Sequence, residues 1–130
     1  MGNDETMRIG EVTERTSLSL RTLRHWEDAG LVAPSARTEG NFRLYTEKDV
    51  ERLLLIRRMK PLGYTLDEMR ELLDVVDALA LTPDSAPLRA RLDDIREGAR
   101  VRREKLTEQL AMADEFVGLL SHLSSGTPLP

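Results

Sequence analysis

Residues 19–31 read SLRTLRHWEDAGL, and this stretch decides the fold because it has the start, the stop and the apolar spacing of one short helix. Ser19 is a good N-cap, since its hydroxyl can accept a hydrogen bond from a backbone N–H that the first turn leaves without a partner. Gly30 suits the left-handed conformation that commonly follows a helix end. Between these two residues, the apolar spacing predicts a buried face made of Leu20, Leu23 and, in part, Trp26.

A shorter helix is predicted immediately before this one. Ile9 and Val12 stand three residues apart and predict a helix that ends near Arg15, and residues 16–18 predict a tight turn. Two short helices joined by about three residues are typical of a helix-turn-helix, a motif that many kinds of protein contain.

The polar face of the second helix has a pattern that suits DNA. It collects Arg21, Arg24, His25 and Asp28 at positions i, i+3, i+4 and i+7. Such a helix fits the major groove, where arginine can bind guanine O6 and N7 or a phosphate through two hydrogen bonds, and His25 can donate to either. The other interpretation of the same residues is an ordinary solvated helix face.

A β-hairpin is predicted next in the chain. Residues 31–33 and 42–45 are expected to pair around a turn at 39–41. A hairpin beside a recognition helix contacts backbone phosphate and so positions the helix. Its candidate residues are Arg37, Asn41, Arg43 and Tyr45. For Tyr45, the core of the hairpin base is the favoured place.

Two further helices complete a first domain at residues 7–80. Thr46 with Asp49, and Thr65 with Glu68, resemble capping boxes that open them. Gly63 ends the first of the two. The second has an apolar face made of Met69, Leu72, Leu73, Val76 and Leu79.

Residues 84–123 predict one long helix that pairs with a second copy of the chain. From Leu88 to about Leu123, at 1.5 Å per residue, the helix would be roughly 50–55 Å long. Its narrow apolar stripe is Leu88, Leu92, Ile95, Ala99, Leu106, Leu110, Ala113, Val117 and Leu120. The first domain, which we call the head, is too small to cover this stripe. The same helix of a second chain can cover it in a dimeric coiled coil. The alternative is that the helix folds back onto its own head.

Charge is distributed unevenly along the chain. The net charge is −4. Residues 15–60, however, contain ten Lys and Arg against six Asp and Glu, and residues 64–130 contain eight against thirteen. Because salt screens surface charges beyond about 8–10 Å, local charge density decides what the head attracts. The sequence therefore predicts that the head is the part that meets nucleic acid.

Composition excludes several classes of function. The chain has no cysteine, which excludes disulfides, thiolate zinc sites and iron–sulfur clusters. Its longest apolar runs, such as residues 53–56, are too short for a membrane span, and residues 1–6 lack a signal-peptide pattern, so we expect a cytoplasmic protein. His25 and His122 are far apart, and no phosphate loop or metal-ligand spacing is present. We therefore predict no catalytic residue, metal or cofactor.

Four segments together resemble one known family. Residues 7–12 (MRIGEV), 19–31, 41–46 (NFRLYT) and 59–69 (MKPLGYTLDEM) are similar, in order and spacing, to the N-terminal domain of MerR-type transcription regulators. The resemblance is close over residues 7 to about 76 and extends to the tail in architecture only. It implies a mainly α fold with a winged helix-turn-helix head, a short β-hairpin wing and a long C-terminal helix that forms an antiparallel dimeric coiled coil.

The same resemblance implies DNA contacts position by position. They are made in the groove by Arg21 and Thr22, along an Arg-aromatic-aromatic motif by Arg24, His25 and Trp26, and at the phosphate backbone by Arg43 and Lys60. His25 departs from the family, in which tyrosine is commoner at this position.

The family resemblance also implies how such a regulator works. Its members bind, as homodimers, an inverted repeat within a promoter whose −35 to −10 spacer is too long, and they bend and untwist the DNA so that RNA polymerase can engage both elements. The deformation costs of the order of 1–6 kcal/mol, which contact energy offsets. Metal and redox sensors of the family use cysteine, which this chain lacks. A small-molecule effector, and the choice between activation and repression, stay open.

Two alternatives belong to other functional classes. Some MerR-like folds are chaperone modulators that bind a protein, and excisionase-like architectural proteins share the winged head. The arginines expected to contact DNA argue against a chaperone modulator, and the long C-terminal helix argues against an excisionase-like protein.

Overall fold

The computed structural model describes residues 5–130. Residues 1–4, part of the segment 1–6 in which we found no signal-peptide pattern, lie outside the described residues. The chain divides into two compact units, Met1–Ser85 and Ala86–Pro130. The first unit contains, in order, β1 (Met7–Arg8), α1 (Ile9–Thr16), α2 (Leu20–Asp28), β2 (Ala36–Arg37), β3 (Arg43–Tyr45), α3 (Glu47–Met59), a 3₁₀ turn (Lys60–Leu62) and α4 (Leu66–Leu81). The second unit is α5 (Ala86–Ser124). These elements confirm the mainly α fold with a small antiparallel sheet and a long C-terminal helix, while the antiparallel dimeric coiled coil stays a prediction.

The helix-turn-helix is confirmed together with both predicted signals at the ends of α2. The Ser19 hydroxyl accepts from the Thr22 backbone N–H at 3.1 Å. Beyond the helix, Gly30 has φ +77°, the Gly30 N–H donates to the Glu27 carbonyl and the Leu31 N–H donates to the Trp26 carbonyl, both at 3.0 Å. This pair of hydrogen bonds is a Schellman motif, which satisfies carbonyls that the helix end would otherwise leave unpaired.

The predicted hairpin is present, but its first strand was placed wrongly. The strand that pairs with β3 is β2, in the register Ala36 opposite Leu44 and Arg37 opposite Arg43. Leu31 and Val32, which we expected in that strand, are buried core residues outside any strand. The sheet also has a third strand that the sequence did not predict, because β1 pairs with the other edge of β3.

Both predicted capping boxes are present and fix the starts of α3 and α4. Thr46 and Thr65 each accept from the backbone N–H three residues later, and Asp49 and Glu68 each accept from the N-cap backbone N–H. Gly63 follows the 3₁₀ turn with φ +83°, as expected of a residue that ends a helix.

The core of the head lies where α1, α2, β3, α3 and α4 meet. Its fully buried side chains include Val12, Leu23, Trp26, Leu31, Tyr45, Val50, Leu53, Ile56, Leu73 and Val75. On α4 the prediction was wrong in one detail, since Val75 is buried and Val76 is exposed.

Helices α1 and α3 are also joined at the surface by Arg15 and Glu47. The two guanidinium nitrogens of Arg15 donate to the two carboxylate oxygens of Glu47 at 2.6 and 2.5 Å. This hydrogen bonding lowers the pKa of Glu47 and raises the pKa of Arg15.

Helix α5, taken by itself, is a single uninterrupted helix of 39 residues in which no side chain is buried. It ends in a second Schellman motif, with Gly126 at φ +85° and the Thr127 N–H donating to the His122 carbonyl at 2.9 Å. Over the residues described, no helix combines the length and the apolar character needed to cross a bilayer.

Candidate nucleic-acid interface

The outer face of α2 carries the predicted recognition residues. Leu23 and Trp26 point into the core, and the side chains on the other side of the helix, Arg21, Arg24 and His25, are all exposed. Together with Leu20 and Asp28 these side chains line one open hollow on the helix surface. Thr22 lies at the edge of this face and is half-buried, with its hydroxyl accepting from the Ser19 hydroxyl at 2.9 Å.

Two of the ten predicted contact residues, Trp26 and Tyr45, lie inside the head. Trp26 is 2% exposed and Tyr45 is 0% exposed. A buried ring cannot touch DNA without leaving the core, at a cost of about 1.5–3 kcal/mol for the burial alone. We therefore correct the predicted contact set to the eight other residues: Arg21, Thr22, Arg24, His25, Arg37, Asn41, Arg43 and Lys60. For Tyr45, the favoured core position is the one observed.

Glu27 connects the recognition helix to the wing, and the sequence analysis missed it. Its side chain is only 9% exposed. One carboxylate oxygen accepts a short hydrogen bond from the Tyr45 hydroxyl. The other lies 3.2 Å from Arg43 Nε, close enough for an ion pair, although that N–H is not directed at the carboxylate and makes no hydrogen bond within the part of the chain described.

The environment of Tyr45 shifts its acid–base behaviour. Burial and then the hydrogen bond to Glu27 raise the pKa of Tyr45 well above its ordinary value of 10. The raised pKa keeps the hydroxyl protonated, and so able to donate to Glu27, to a higher pH than an ordinary tyrosine. The hydroxyl holds the Glu27 carboxylate, which in turn holds the guanidinium of Arg43 beside α2.

The hairpin tip is built by local hydrogen bonds. The Thr38 N–H donates to the Phe42 carbonyl and the Asn41 N–H donates to the Thr38 carbonyl, both at 2.9 Å. Asn41 has φ +64°, a left-handed conformation that asparagine tolerates better than most residues. Arg37 Nη1 donates to the Asn41 carbonyl at 3.2 Å, so the two predicted wing residues lie side by side and are exposed.

Between α2 and the hairpin lies a cleft of about 670 Å³. We call it the arginine cleft, and its charged and polar lining is Arg8, Arg24, Arg37, Asn41 and Arg43, with Phe42 beside them. None of the residues that line it is Asp or Glu. Arg8, Arg24 and Arg37 have no carboxylate partner among residues 5–130, and their charges add to one positive potential that attracts an anion. Glu27 offsets part of the charge of Arg43.

Other arginines of the head serve its structure instead. Arg57 donates to the Thr16 carbonyl, Arg70 to the Ala29 carbonyl and Arg52 Nε to the Leu31 carbonyl. Each of these carbonyls lies at or just after the end of α1 or α2, where backbone acceptors lack helical partners. Among residues 5–130, by contrast, Arg21, Arg24 and Lys60 have no ion-pair partner and are free to meet a phosphate.

Helix α5 exposes more apolar surface than the predicted stripe. Leu88, Leu92, Ile95 and Ala99 are half-exposed, and the stripe residues from Leu106 onward are exposed. A second exposed row, which the sequence analysis did not single out, has the same 4-3-4 spacing and consists of Met112, Phe116, Leu119 and Leu123. The last third of α5 is therefore apolar over more of its circumference than a strict two-stranded seam requires.

The head is thus a winged helix-turn-helix, with an arginine-bearing helix and a cationic hairpin beside it. In the described part of the chain, no three His, Asp or Glu side chains come together as metal ligands would. The combination defines a class of proteins that bind nucleic acid.

Comparison with known families agrees with this class. The family described as "MerR HTH family regulatory protein" matches residues 7–75, and the one described as "MerR, DNA binding" matches residues 50–116. The chain belongs to the MerR family.

Individual relatives share either the head or the whole architecture. The mercuric resistance operon regulatory protein of Bacillus cereus is 43% identical over 70 residues, which are 54% of this chain and 53% of that protein. The chain thus spans about half the length of this curated relative. The crystal structure of the transcription regulator PbrR691 from Ralstonia metallidurans CH34 in complex with lead(II) is 37% identical, with a TM-score of 0.57, over 88% of this chain and 86% of that one.

A third comparison concerns the fold alone. The structure of HiNmlR, a MerR family regulator lacking the sensor domain and bound to promoter DNA, has a TM-score of 0.64 at 21% identity. It covers 93% of this chain and 89% of that one.

Proposed function

We propose that this chain is a transcription regulator that binds an inverted repeat in double-stranded promoter DNA as a homodimer and holds no cofactor. The observation that carries the proposal is the arginine cleft, which joins the recognition helix and the wing in one cationic surface with no carboxylate in its lining. DNA presents a regular row of phosphates to such a surface, and counterion release supplies much of the binding free energy.

Within this interface the two elements have different tasks. Helix α2 lies in the major groove, where Arg21 and Arg24 contact base edges and Thr22 and His25 add hydrogen bonds. The hairpin contacts phosphates through Arg37, Asn41 and Arg43, and the exposed Lys60 makes a further contact to the DNA backbone. Membership of the MerR family supports this arrangement.

The homodimer is supported by α5. None of its side chains is buried, and Leu110 and Val117 of the stripe are 63% and 61% exposed. Exposing so regular an apolar row to water is unfavourable, and a second antiparallel copy of the helix covers it. Two heads then sit at a fixed separation, which matches the two half-sites of an inverted repeat.

The regulatory step is proposed by analogy with the family. The dimer would distort the promoter so that RNA polymerase engages it, in the cytoplasm where both are found. One relative named above is described as the regulatory protein of a mercuric resistance operon, and another was crystallised in complex with lead(II), but these 130 residues contain no cysteine. An effector of this chain, where one exists, therefore binds without a thiolate ligand.

DNA binding is tested by selecting bound fragments from random DNA and measuring their affinity by fluorescence anisotropy from 50 to 300 mM salt. We expect a palindromic selected site and affinity that falls steeply with salt. Arg43→Ala should weaken binding to every sequence, and Arg21→Ala should also relax base preference. Arg96→Ala, on α5, serves as the control. Binding that ignores salt, or enrichment of no sequence, would contradict the proposal.

Dimerisation is tested by sedimentation of the full chain at micromolar concentration. Leu110→Glu places a charge in the stripe and should give a monomer with weakened DNA binding. Val101→Glu is the matched control, because Val101 is 57% exposed and lies off the stripe. A wild-type monomer, or equal effects of both substitutions, would rule out the proposed seam. Co-purification with one chaperone in place of DNA would instead support the protein-interaction alternative, which the named regulators do not favour.

A further inference from the structure

Arg8 and Phe42 form a pair in the arginine cleft that lies outside the proposed contact set. The guanidinium carbon of Arg8 lies 5.3 Å from the centre of the Phe42 ring, within the range of a cation–π interaction. Arg8 is exposed, and Phe42 is 60% exposed. A phenylalanine this exposed contributes little to the core, so its position calls for another explanation.

Both members of the pair are held by the wing. Arg8 belongs to β1, where it stands opposite Leu44 of β3, so its backbone is tied to the strand that also carries Arg43. The Phe42 ring lies against the hairpin tip, since a Cβ added at Gly40 would meet ring atoms Cε2 and Cδ2 at 3.2 and 3.3 Å. The ring and the guanidinium above it therefore move with the hairpin.

The arrangement leaves the hydrogen-bonding edge of Arg8 available. A cation–π contact does not use the N–H donors of a guanidinium, and the Arg8 guanidinium donates no hydrogen bond within residues 5–130. Among the residues described, Arg8 has no carboxylate partner. Its charge adds to those of Arg24, Arg37 and Arg43 around a cleft without acidic lining.

We propose that Arg8 binds a DNA backbone phosphate and that Phe42 positions the Arg8 guanidinium for this contact. The inference rests on the proposed DNA-binding function and extends its interface to β1, a strand that the sequence did not predict. A guanidinium fixed in this way loses less rotamer freedom when a phosphate oxygen accepts from two of its N–H groups, so the contact favours binding.

The test is the salt dependence of DNA affinity in the full chain, measured on the selected site and on an unrelated duplex. Arg8→Ala should reduce the slope of log K against log salt by about one and weaken binding about fivefold at 0.15 M salt on both duplexes. Arg8→Lys keeps the charge and should keep the slope. Lys48→Ala, which removes an exposed cation of α3 outside the cleft, should change neither.

The role of Phe42 is tested by coupling. Phe42→Leu keeps an apolar side chain but removes the ring face, so it should weaken binding in the wild-type chain and have no further effect in Arg8→Ala. Emission from Trp26, the one tryptophan, verifies that each variant is folded. Additive effects of the two substitutions would overturn the positioning role.

The remaining outcomes separate this inference from the proposed function. An unchanged slope in Arg8→Ala, with a reduced slope in Arg43→Ala, would overturn the Arg8 contact while DNA binding stands. A change of base preference in Arg8→Ala would overturn the assignment to phosphate. Failure of the wild-type chain to bind any DNA would refute the proposed function itself.

Discussion

Tyr45→Phe removes a single hydroxyl from the centre of the head, and we expect it to cost stability out of proportion to its size. The ring stays buried, because phenylalanine has the same shape and Tyr45 is 0% exposed. What is lost is the hydrogen bond from the hydroxyl to the Glu27 carboxylate. The substitution therefore isolates the hydrogen bond between Tyr45 of β3 and Glu27 of α2 and leaves the ion pair of Arg43 with Glu27 in place.

The magnitude follows from the charge and burial of the acceptor. A hydrogen bond to a charged group contributes about 1.5–3 kcal/mol, roughly twice a neutral one. The Glu27 side chain is 9% exposed, so water replaces the lost donor poorly. Its other neighbour, Arg43 Nε, lies at ion-pair distance without hydrogen-bond geometry. We therefore expect a loss of about 2–3 kcal/mol in the free energy of unfolding.

The assay is urea unfolding at pH 7, followed by Trp26 emission and by circular dichroism at one protein concentration. The midpoint should fall with an unchanged m-value, because the surface exposed on unfolding stays the same. Glu27→Gln should lower the midpoint too, and the double variant should lose less than the sum, since both changes break one contact. A loss below about 0.5 kcal/mol for Tyr45→Phe, or strict additivity, would refute the reasoning.

The hydrogen bond from Tyr45 to Glu27 also leads us to expect a loss of stability at alkaline pH. The folded-state pKa of Tyr45 is raised above the unfolded value of about 10. A raised pKa contributes stability that is complete below pH 10 and is lost as the pH rises toward the folded-state value, because only the unfolded chain releases the proton there. Wild-type stability should fall above pH 10 by more than that of Tyr45→Phe. Parallel profiles of the two chains would show that Tyr45 titrates normally.

Three further substitutions test the assignments of buried, structural and surface residues. Trp26→Ala should lower the free energy of unfolding, measured in urea, by about 3–5 kcal/mol. Trp26→Phe should keep the DNA affinity per folded molecule. A loss of affinity in a fully folded Trp26→Phe would support the original prediction that Trp26 contacts DNA. Arg57→Ala should cost about 1.5–3 kcal/mol through the Thr16 carbonyl without altering the salt slope, and its exposed neighbour Arg58→Ala should leave urea stability unchanged. Because Arg15 lowers the pKa of Glu47, this pair should stabilise the wild-type chain above pH 4.5, and the stabilisation should be lost as the pH falls through the lowered pKa. Urea midpoints measured from pH 3 to 7 should show this loss in the wild-type chain and not in Arg15→Ala.

Helix ends were predictable from sequence because capping is local. The hydroxyls of Ser19, Thr46 and Thr65 satisfy backbone donors within three residues, and Gly30 and Gly63 stand at left-handed positions. Each signal is complete within one turn of chain, so no distant contact can displace it.

The sequence predicted that the wing is a β-hairpin, but it did not predict which residues pair in its strands. The apolar run 31–33 has the composition of a strand, yet Leu31 and Val32 fill the core, while the exposed Ala36 and Arg37 form β2. Strand pairing depends on what the rest of the head covers, and a two-residue strand is too short to show an alternating pattern. For the same reason β1 was not foreseen.

The contact residues show the same division between local and tertiary information. Helical spacing alone placed Arg21 and Arg24 outward and Leu23 inward, and the structure agrees. The same spacing placed Leu20 inward, which was wrong, since Leu20 is 41% exposed. The family motif placed Trp26 against DNA, although its spacing of three from Leu23 already favoured burial. Glu27 carried no signal at all, because its burial depends on a tyrosine eighteen residues away in the chain.

The uneven charge of the sequence has a different physical meaning once the arginines are placed. Arg15 faces Glu47, and Arg52 and Arg57 hold carbonyls at helix ends, so three of the ten cations counted between residues 15 and 60 serve the fold. Arg8, outside that segment, joins the cleft instead. Since a field decays within about 8–10 Å in physiological salt, affinity for phosphate depends on the few guanidiniums that share one opening and not on the total. A regulator with net charge −4 can therefore bind DNA, because no Asp or Glu lines the arginine cleft and the Glu27 carboxylate, 3.2 Å from Arg43 Nε, is largely buried behind it.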